Sequence, residues 1–565
     1  MTSFPRTLPP TRPEVSGSTD GESNPRWIEI AKSADHKVIS LVLISAAFGS
    51  LFLAALELLL LRIQLSVPEN VFLNAVTFDR LLSIYGVTAI FLFALPLCIG
   101  LFYYVVPLQI GSRTTSLPRV GQTGLWLFIL GAGVLYAALL FTPPETGINP
   151  LPPFSEHAFA PNNGVDAWIT STGMATLGLL MIATDPVATV HSLRAPGMAW
   201  RRAPIFTVAG ATVSWLLVVT APIFLAAVTM LMLDRHDDGG FFSGAVGGAP
   251  LLWQHFSYIF FTASYMAISI TALAAIAEII QTFTHRELPG RKVIVWSLIS
   301  IAIIGTLAWT QNMLTTPIPS GWKYIAMFLS ISLIVPFGLI FYNLISHVSR
   351  SDFHMQAPLR FAMGALSLAS IGLLAEIAQS TIGVASQLSH TYDAWAATHF
   401  TLVGFAVFGG FAAVTYWYPK MTGFQLNEDR AKKSFQIMFL GTVVALLPLF
   451  VVGVEGQVTD SYRYFIDTDF KIYNIISAVG TLILFVGIVL AIGNLIKSRL
   501  DEPAALPDPY PGESLEWLAL SPPPPHNFDV LPDVRSTQPM RDIRDALARR
   551  DTEAAASTGE PQPVA

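Results

Sequence analysis

The chain has 565 residues, 53% of them hydrophobic and 12% charged, with a formal net charge of −6. Soluble domains carry about 25% charged residues, so the deficit excludes an ordinary soluble enzyme and points to a protein that crosses a membrane several times. No basic patch accompanies the small negative charge, which excludes nucleic acid as a partner. The one cysteine, Cys98, excludes an internal disulfide or a dithiolate metal centre and reads as a packing residue.

Residues 1–33 begin with a stretch rich in Pro, Ser, Thr and Gly and read as a disordered segment. Twelve apolar runs follow, near 38–61, 80–107, 122–142, 165–187, 204–233, 251–283, 292–315, 322–346, 361–386, 393–418, 434–454 and 471–496. Each is long enough for a helix to cross a ~30 Å hydrocarbon core. Residues 34–499 are therefore predicted to be an all-α polytopic membrane bundle of twelve transmembrane helices. The first run starts too late and is too long for a cleavable signal peptide.

The connections after the even-numbered runs are the basic ones. They hold Arg113 and Arg119, then Arg194, Arg201 and Arg202, then Arg286, Arg291 and Lys292, then Arg350 and Arg360, then Lys420, Arg430, Lys432 and Lys433. They alternate with connections poor in Lys and Arg, such as PPETGINPLPPFSEHAFAPNNGVD. The basic side reads as cytoplasmic, which puts both termini there. Residues 500–565 are rich in Pro, Glu, Asp and Ala and are predicted to form a cytoplasmic tail with one short helix near Met540–Arg550.

One stretch resists this simple reading. AWTQNMLTT, Ala308 to Thr316, sets two primary amides side by side in the seventh run, Gln311 and Asn312. Unpaired amides in hydrocarbon are costly, so these need a partner.

Several other stretches resemble subunit I of the haem-copper oxidases, the cytochrome c and quinol oxidases. They are ADHKVISL before the first run, VVPLQIGSRTTSLPR after the second, SLRAPGMAWRRAPIFTVAG, LMLDRHDDGGFFSGAVGGAPLLWQHF, GGFAAVTYWYPKMTGF after the tenth, and DPYPGESLEWLALSPPPPHNF in the tail. The matches run in order from about residue 34 to 533. The resemblance implies twelve helices holding a low-spin haem between two histidines and a high-spin haem on one. It also implies three histidines on copper, one of them linked to a tyrosine.

Position by position, this chain departs from that ligand set. In the second helix, Tyr85 of LSIYGVTAIF stands where the family has a low-spin haem histidine. In the sixth, QHFSYIFFTASYM keeps Gln254 and His255 but has Thr262 for the copper histidine, Ala263 for proline, Ser264 for glutamate and Met266 for the linked tyrosine. Tyr265 is one residue away, about 100° round the helix. In the seventh, Gln311 and Asn312 stand where two adjacent copper histidines would, with Trp309, Met313 and Thr315 holding register. Carboxamide oxygens bind copper far less well than imidazole. In the tenth, ATHFTLVGF is expected to keep His399 at the high-spin haem position and to place Thr401 at the low-spin one. Ile340 replaces the lysine of one proton path, and Arg463 alone and displaced replaces the paired arginines of the haem propionates.

The resemblance thus implies a cytochrome c oxidase subunit I-like membrane protein of a respiratory complex in the bacterial plasma membrane, non-catalytic because its ligands are substituted. His399 is the one candidate cofactor-binding residue, for a single haem, and copper is not expected. Expected partners are the bilayer and oxidase-type subunits like II and III, or an active paralogue. Two other readings stay open: a membrane haem sensor or carrier using His399, and an active terminal oxidase as the family as a whole would suggest. If the alignment is right, Gln311 and Asn312 face the bundle interior within reach of Thr262.

Overall fold

The computed structural model describes residues 26–237, 239–351, 353–531 and 533–558. Twelve helices long and apolar enough to cross a membrane follow one another: α1 (His36–Gln64), α2 (Ala75–Gln109), α3 (Pro118–Phe141), α4 (Gly164–Ser192), α5 (Ile205–His236), α6 (Pro250–Thr284), α7 (Arg291–Met313), α8 (Ser320–Ser349), α9 (Ala357–Gln379), α10 (Tyr392–Thr422), α11 (Glu428–Val454) and α12 (Phe470–Asp501). Among the described residues the only β pairing is two isolated bridges, Thr391 with Val458 and Phe424 with Ala504.

Local sequence explains where the helices start. Asp35 caps α1 by accepting from the Lys37 amide, Asn74 caps α2 through Thr77, and Asn427 caps α11 through Arg430. Each side chain satisfies a backbone N–H that has no helical partner. Pro118 and Pro250 occupy first turns, where a missing N–H costs nothing. Gly423 ends α10 with a φ of 78°, the left-handed conformation that suits glycine.

Packing between helices uses small residues, as expected where no hydrophobic force separates helix from lipid. At the α3–α4 crossing, a Cβ on Gly124 would stand 2.5 Å from the Gly178 carbonyl, and the reverse holds for Gly178. The two helices can approach this closely only with glycine at both positions. The centre of the bundle is formed by α2 and α10, buried over 89% and 83% of their most apolar stretches, whereas α3 and α8 are mostly exposed to the surroundings.

Three expectations need adjustment. Residues 26–32 of the N-terminal segment form a short helix, Arg26–Lys32, and residues 1–25 lie outside the described residues. The run 361–386 breaks after Gln379, with a separate short helix at Ile382–Leu388. The α-helical part of α7 stops at Leu307, and Trp309–Met313 continues as a tighter 3-10 turn. Gln311 and Asn312 therefore sit at the end of their span, not in the middle of it.

The tail closes the end of the bundle that carries the basic connections. Trp517 is 1% exposed and its indole donates to the Tyr416 hydroxyl at 3.2 Å. Glu516, equally buried, accepts from Gln109 Nε2 at 3.1 Å and from Ser514 Oγ at 2.9 Å. Lys420 is fully buried; its ammonium lies over the Trp517 ring at 5.3 Å and donates to the carbonyls of Ala519 and Pro507 at 2.6 and 3.0 Å. Lys37 donates to Asn527 Oδ1 at 3.0 Å, and the Val534 amide donates to the Pro196 carbonyl at 3.0 Å. A terminal helix, Pro539–Thr558, follows.

Burial holds the carboxyls of Glu516 and Glu513 above the usual carboxylate range, and does the same for Asp508 against the pull of Arg544. Each proton is bound more tightly folded than unfolded. That contribution to stability is full below the unfolded value of 4.5 for a glutamate and is lost as pH rises through the folded value. Glu516→Gln keeps an acceptor oxygen without the charge. It is expected to raise the unfolding temperature at pH 8 and to leave it unchanged near pH 4, which thermal unfolding across pH measures.

Candidate functional site

Two places inside the bundle carry the positions singled out in the sequence. The first joins α2 and α10. The Tyr85 hydroxyl lies 2.7 Å from His399 Nε2, with the rings nearly parallel. His399 Nδ1 lies 2.8 Å from the Trp395 carbonyl. A carbonyl only accepts, so Nδ1 carries the proton and Nε2 accepts from Tyr85. Trp395 stacks on the His399 ring with centroids 3.4 Å apart. The imidazole is thus fully engaged: one nitrogen donating, one accepting, one face covered.

His399 was expected on the high-spin side. Its ring instead faces Tyr85, the low-spin position. Thr401, expected at that position, turns toward α9, bonds back to the Ala397 carbonyl at 3.3 Å, and sits so close to Gly372 that no Cβ fits there. His399, and not Thr401, is the α10 side chain that meets Tyr85. Wide π-helical turns follow both residues, Thr88–Ala94 in α2 and Val403–Gly409 in α10.

A metal between two axial donors holds them about 4 Å apart, two bonds of about 2 Å. Tyr85 and His399 touch directly, so as arranged they do not fit an iron between them. A narrow apolar cavity of about 70 Å³ runs alongside. It is lined by Leu51, Ala54 and Leu58 of α1 and Leu484, Phe485 and Ile488 of α12, with Tyr85 and His399 among its walls.

The second place lies where α6 meets the end of α7. Asn312 Nδ2 donates to Thr262 Oγ1 at 3.1 Å, the contact the alignment predicts. Gln311 Nε2 donates to the Gln379 carbonyl at 3.3 Å, while its buried Oε1 has no protein partner. Asn312 is exposed at the rim, so the expectation of an interior-facing amide pair holds for Gln311 and not for Asn312. The 3-10 turn is the reason, since it winds more tightly through the pair and sets the two side chains about 120° apart. His255 accepts from Trp309 Nε1 at 3.1 Å. One hydroxyl and two carboxamides make a poor copper donor set, so these residues do not fit that metal.

The remaining expected sites are separate. Tyr265 donates to the Thr398 carbonyl at 2.7 Å, Ile340 is fully buried, and Arg463 is exposed against the Tyr462 ring. Three residues missed in the sequence stand out in the structure: Glu57 and Arg62 of α1, both more than nine-tenths buried, and Glu376 of α9, whose carboxylate lies 3.5 Å from the Tyr265 hydroxyl. A lone charge within an apolar run was the signal available for all three.

The family model described as cytochrome c and quinol oxidase polypeptide I matches residues 38–483. The chain belongs to this family. It is 31% identical to cytochrome c oxidase subunit 1 of Corynebacterium glutamicum, covering 94% of this chain and 91% of that one. It is 30% identical to cytochrome bo(3) ubiquinol oxidase subunit 1 of Buchnera aphidicola subsp. Baizongia pistaciae, covering 90% and 79%. A haem-copper terminal oxidase dimer solved by cryo-electron microscopy shares the fold, with a TM-score of 0.68 over 86% of each chain at 14% identity. The polypeptide I scaffold is therefore present over most of this membrane protein, and the question is confined to its ligand positions.

Tyr85→Phe would leave His399 Nε2 buried without a partner, at a cost of about 1–3 kcal/mol. Thermal unfolding in detergent should show that loss. An unchanged stability would mean that the Tyr85–His399 bond contributes nothing.

Proposed function

We propose that this chain is a non-catalytic polypeptide I homologue, an oxidase-shaped integral subunit of a respiratory complex in the bacterial plasma membrane. The observation that carries the reading is the chemistry of the two places together. Thr262, Gln311 and Asn312 offer no imidazole to copper. Tyr85 and His399 engage each other where an iron would need about 4 Å. Oxygen reduction needs one centre that delivers electrons and a second that receives them, and cofactors supply both. We propose that both termini lie on the cytoplasmic side, as the basic connections suggest.

The alternative of a single-histidine haem carrier has less support, because it needs His399 Nε2, and the Tyr85 hydroxyl holds that atom. The names of the relatives favour an active oxidase, and family membership alone leaves that reading open.

Partner subunits are part of the proposal, and their support is family membership. The family-like stretches at Asp234–Phe242 and in the tail do not add to it, because the structure gives them internal work. Arg235 is 4% exposed and donates to Asp166 at 2.7 Å and to the Ser155 carbonyl at 2.6 Å, which pins the 142–163 connection.

The test is oxygen uptake by the purified protein with its native partners, alongside copper and haem analysis. The expected result is no uptake, no stoichiometric copper, and co-purifying membrane subunits. Uptake with copper bound would overturn the reading. The register itself has its own check: Thr262→His, Gln311→His and Asn312→His introduced together are expected to raise copper content toward one ion per chain.

A further inference from the structure

The connection between α4 and α5, residues 193–204, carries Arg194, Arg201 and Arg202 and no acidic residue. Arg202 is occupied, donating to the carbonyls of Gly197 and Val534 at 2.9 and 3.1 Å. Arg194 is not. Its guanidinium lies over the Trp200 ring at 4.9 Å, and its Nη1 is buried with no hydrogen-bond partner in the protein. Among the described residues none of the three arginines forms an ion pair. Two carboxylates that stand near this connection are taken. Asp185 accepts from Tyr103, Thr189 and the Leu117 amide, and Asp533, which lies against Gly197, pairs with Arg535 at 3.4 Å. A guanidinium stacked on an indole, with an unmet N–H and no opposing charge, is open to an anion.

Its surroundings place it at the membrane boundary. His191, in the last turn of α4, packs against both Trp200 and Trp215, with ring centroids 5.3 and 6.3 Å apart. α5 has 32 residues, about 48 Å of helix, so it outruns a ~30 Å hydrocarbon core. Trp215 lies about three turns into α5 and, through His191, is level with the end of α4. Trp200 and Trp215 are exposed, as are Trp126 near the start of α3 and Trp296 near the start of α7, all toward the end of the bundle that carries the basic connections. Exposed indoles gathered at one end of a bundle mark the headgroup level. Away from Arg194, the outward face of α5 continues from Trp215 through Val219, Pro222 and Ala226, all exposed and apolar. A cation with aromatic walls thus stands at the head of an apolar face.

We propose that this corner binds an anionic phospholipid. The phosphodiester meets Arg194 beside the Trp200 ring, and the acyl chains lie on the outward face of α5 past Trp215 and Val219. Charge selects the headgroup. Arg194 and the exposed Arg201 present two positive charges that no carboxylate offsets, and a zwitterionic lipid would bring a second cation with its phosphate. A free anion would leave the apolar face uncovered. The site shares no residue with Tyr85, His399, Thr262, Gln311 or Asn312, so it stands or falls apart from the non-catalytic reading.

Native mass spectrometry of the full-length protein in a non-ionic detergent tests the site, with dioleoyl phosphatidylglycerol as probe. Dioleoyl phosphatidylcholine, with the same chains and no net charge, is the control. The anionic lipid is expected to bind at least about tenfold more tightly, the worth of one charge-assisted hydrogen bond. Arg194→Gln is expected to lose that preference. Lys433→Gln, which removes one exposed charge from the start of α11, is expected to keep it. Equal binding of the two lipids, a preference that survives in Arg194→Gln, or one that vanishes in Lys433→Gln each overturns the proposal. Inorganic phosphate at millimolar concentration is expected not to compete, and competition would make this a free-anion site instead. A photocrosslinker in place of Trp215 tests the occupant in native membranes. Adducts of lipid mass are expected, and an adduct with a protein chain overturns the lipid assignment. If Arg194→Gln does not fold, the two lipids on wild type and the crosslink decide.

Discussion

The hydrogen bond between Tyr85 and His399 joins the two most buried helices of the bundle at its centre. Each side chain alone would be a liability there, because a hydroxyl or an imidazole without a partner in a low-dielectric interior loses its hydration for nothing. Together they settle one another. The Trp395 carbonyl fixes the imidazole tautomer, which leaves Nε2 as an acceptor, and Tyr85 is the donor that fits it. In this family the equivalent space is spanned by a haem and its ligands. Here α2 and α10 are held directly, by side chains that satisfy each other.

The same logic explains why resemblance to the family is patchy. Loops and tail look like the family because they close the bundle, whatever its centre does. Arg235 gathers a long connection by binding its carbonyls. Trp517, Glu516 and Lys420 form a buried lid under α2 and α10. Changing these would expose backbone and strand charges. Changing Thr262, Gln311 or Asn312 does not, because the amides have found protein partners of their own. A fold and a chemistry are separable, and family membership of this chain speaks for the first.

The helices and their number were legible in the sequence because apolar runs are local signals. The contact of Asn312 with Thr262 followed from register alone. The side on which His399 faces was not legible. It depends on which faces of α2 and α10 pack together, a contact between residues 314 positions apart that no local pattern encodes. The docking of the tail was hidden for a different reason. A proline-rich segment with few apolar residues reads as extended and free, and only the bundle supplies the buried ammonium of Lys420 and the Tyr416 hydroxyl that the tail's carbonyls and Trp517 meet. Glu57, Arg62 and Glu376 were readable as lone charges in apolar runs, but their partners, or lack of them, were not.

That difference between paired and unpaired polar groups is the most useful property of the interior. The positions singled out in the sequence are mostly closed by protein partners: Tyr85 on His399 and Asn312 on Thr262. A centre whose polar groups satisfy each other has little left to offer a ligand. Arg62 and Ser477 keep side-chain donors that meet no protein acceptor. Open donors retain the capacity to bind, because a ligand there gains hydrogen bonds that the protein has not already made. If the ancestral centre has been shut by its own side chains, the place to look for present function is the one that remains unshut.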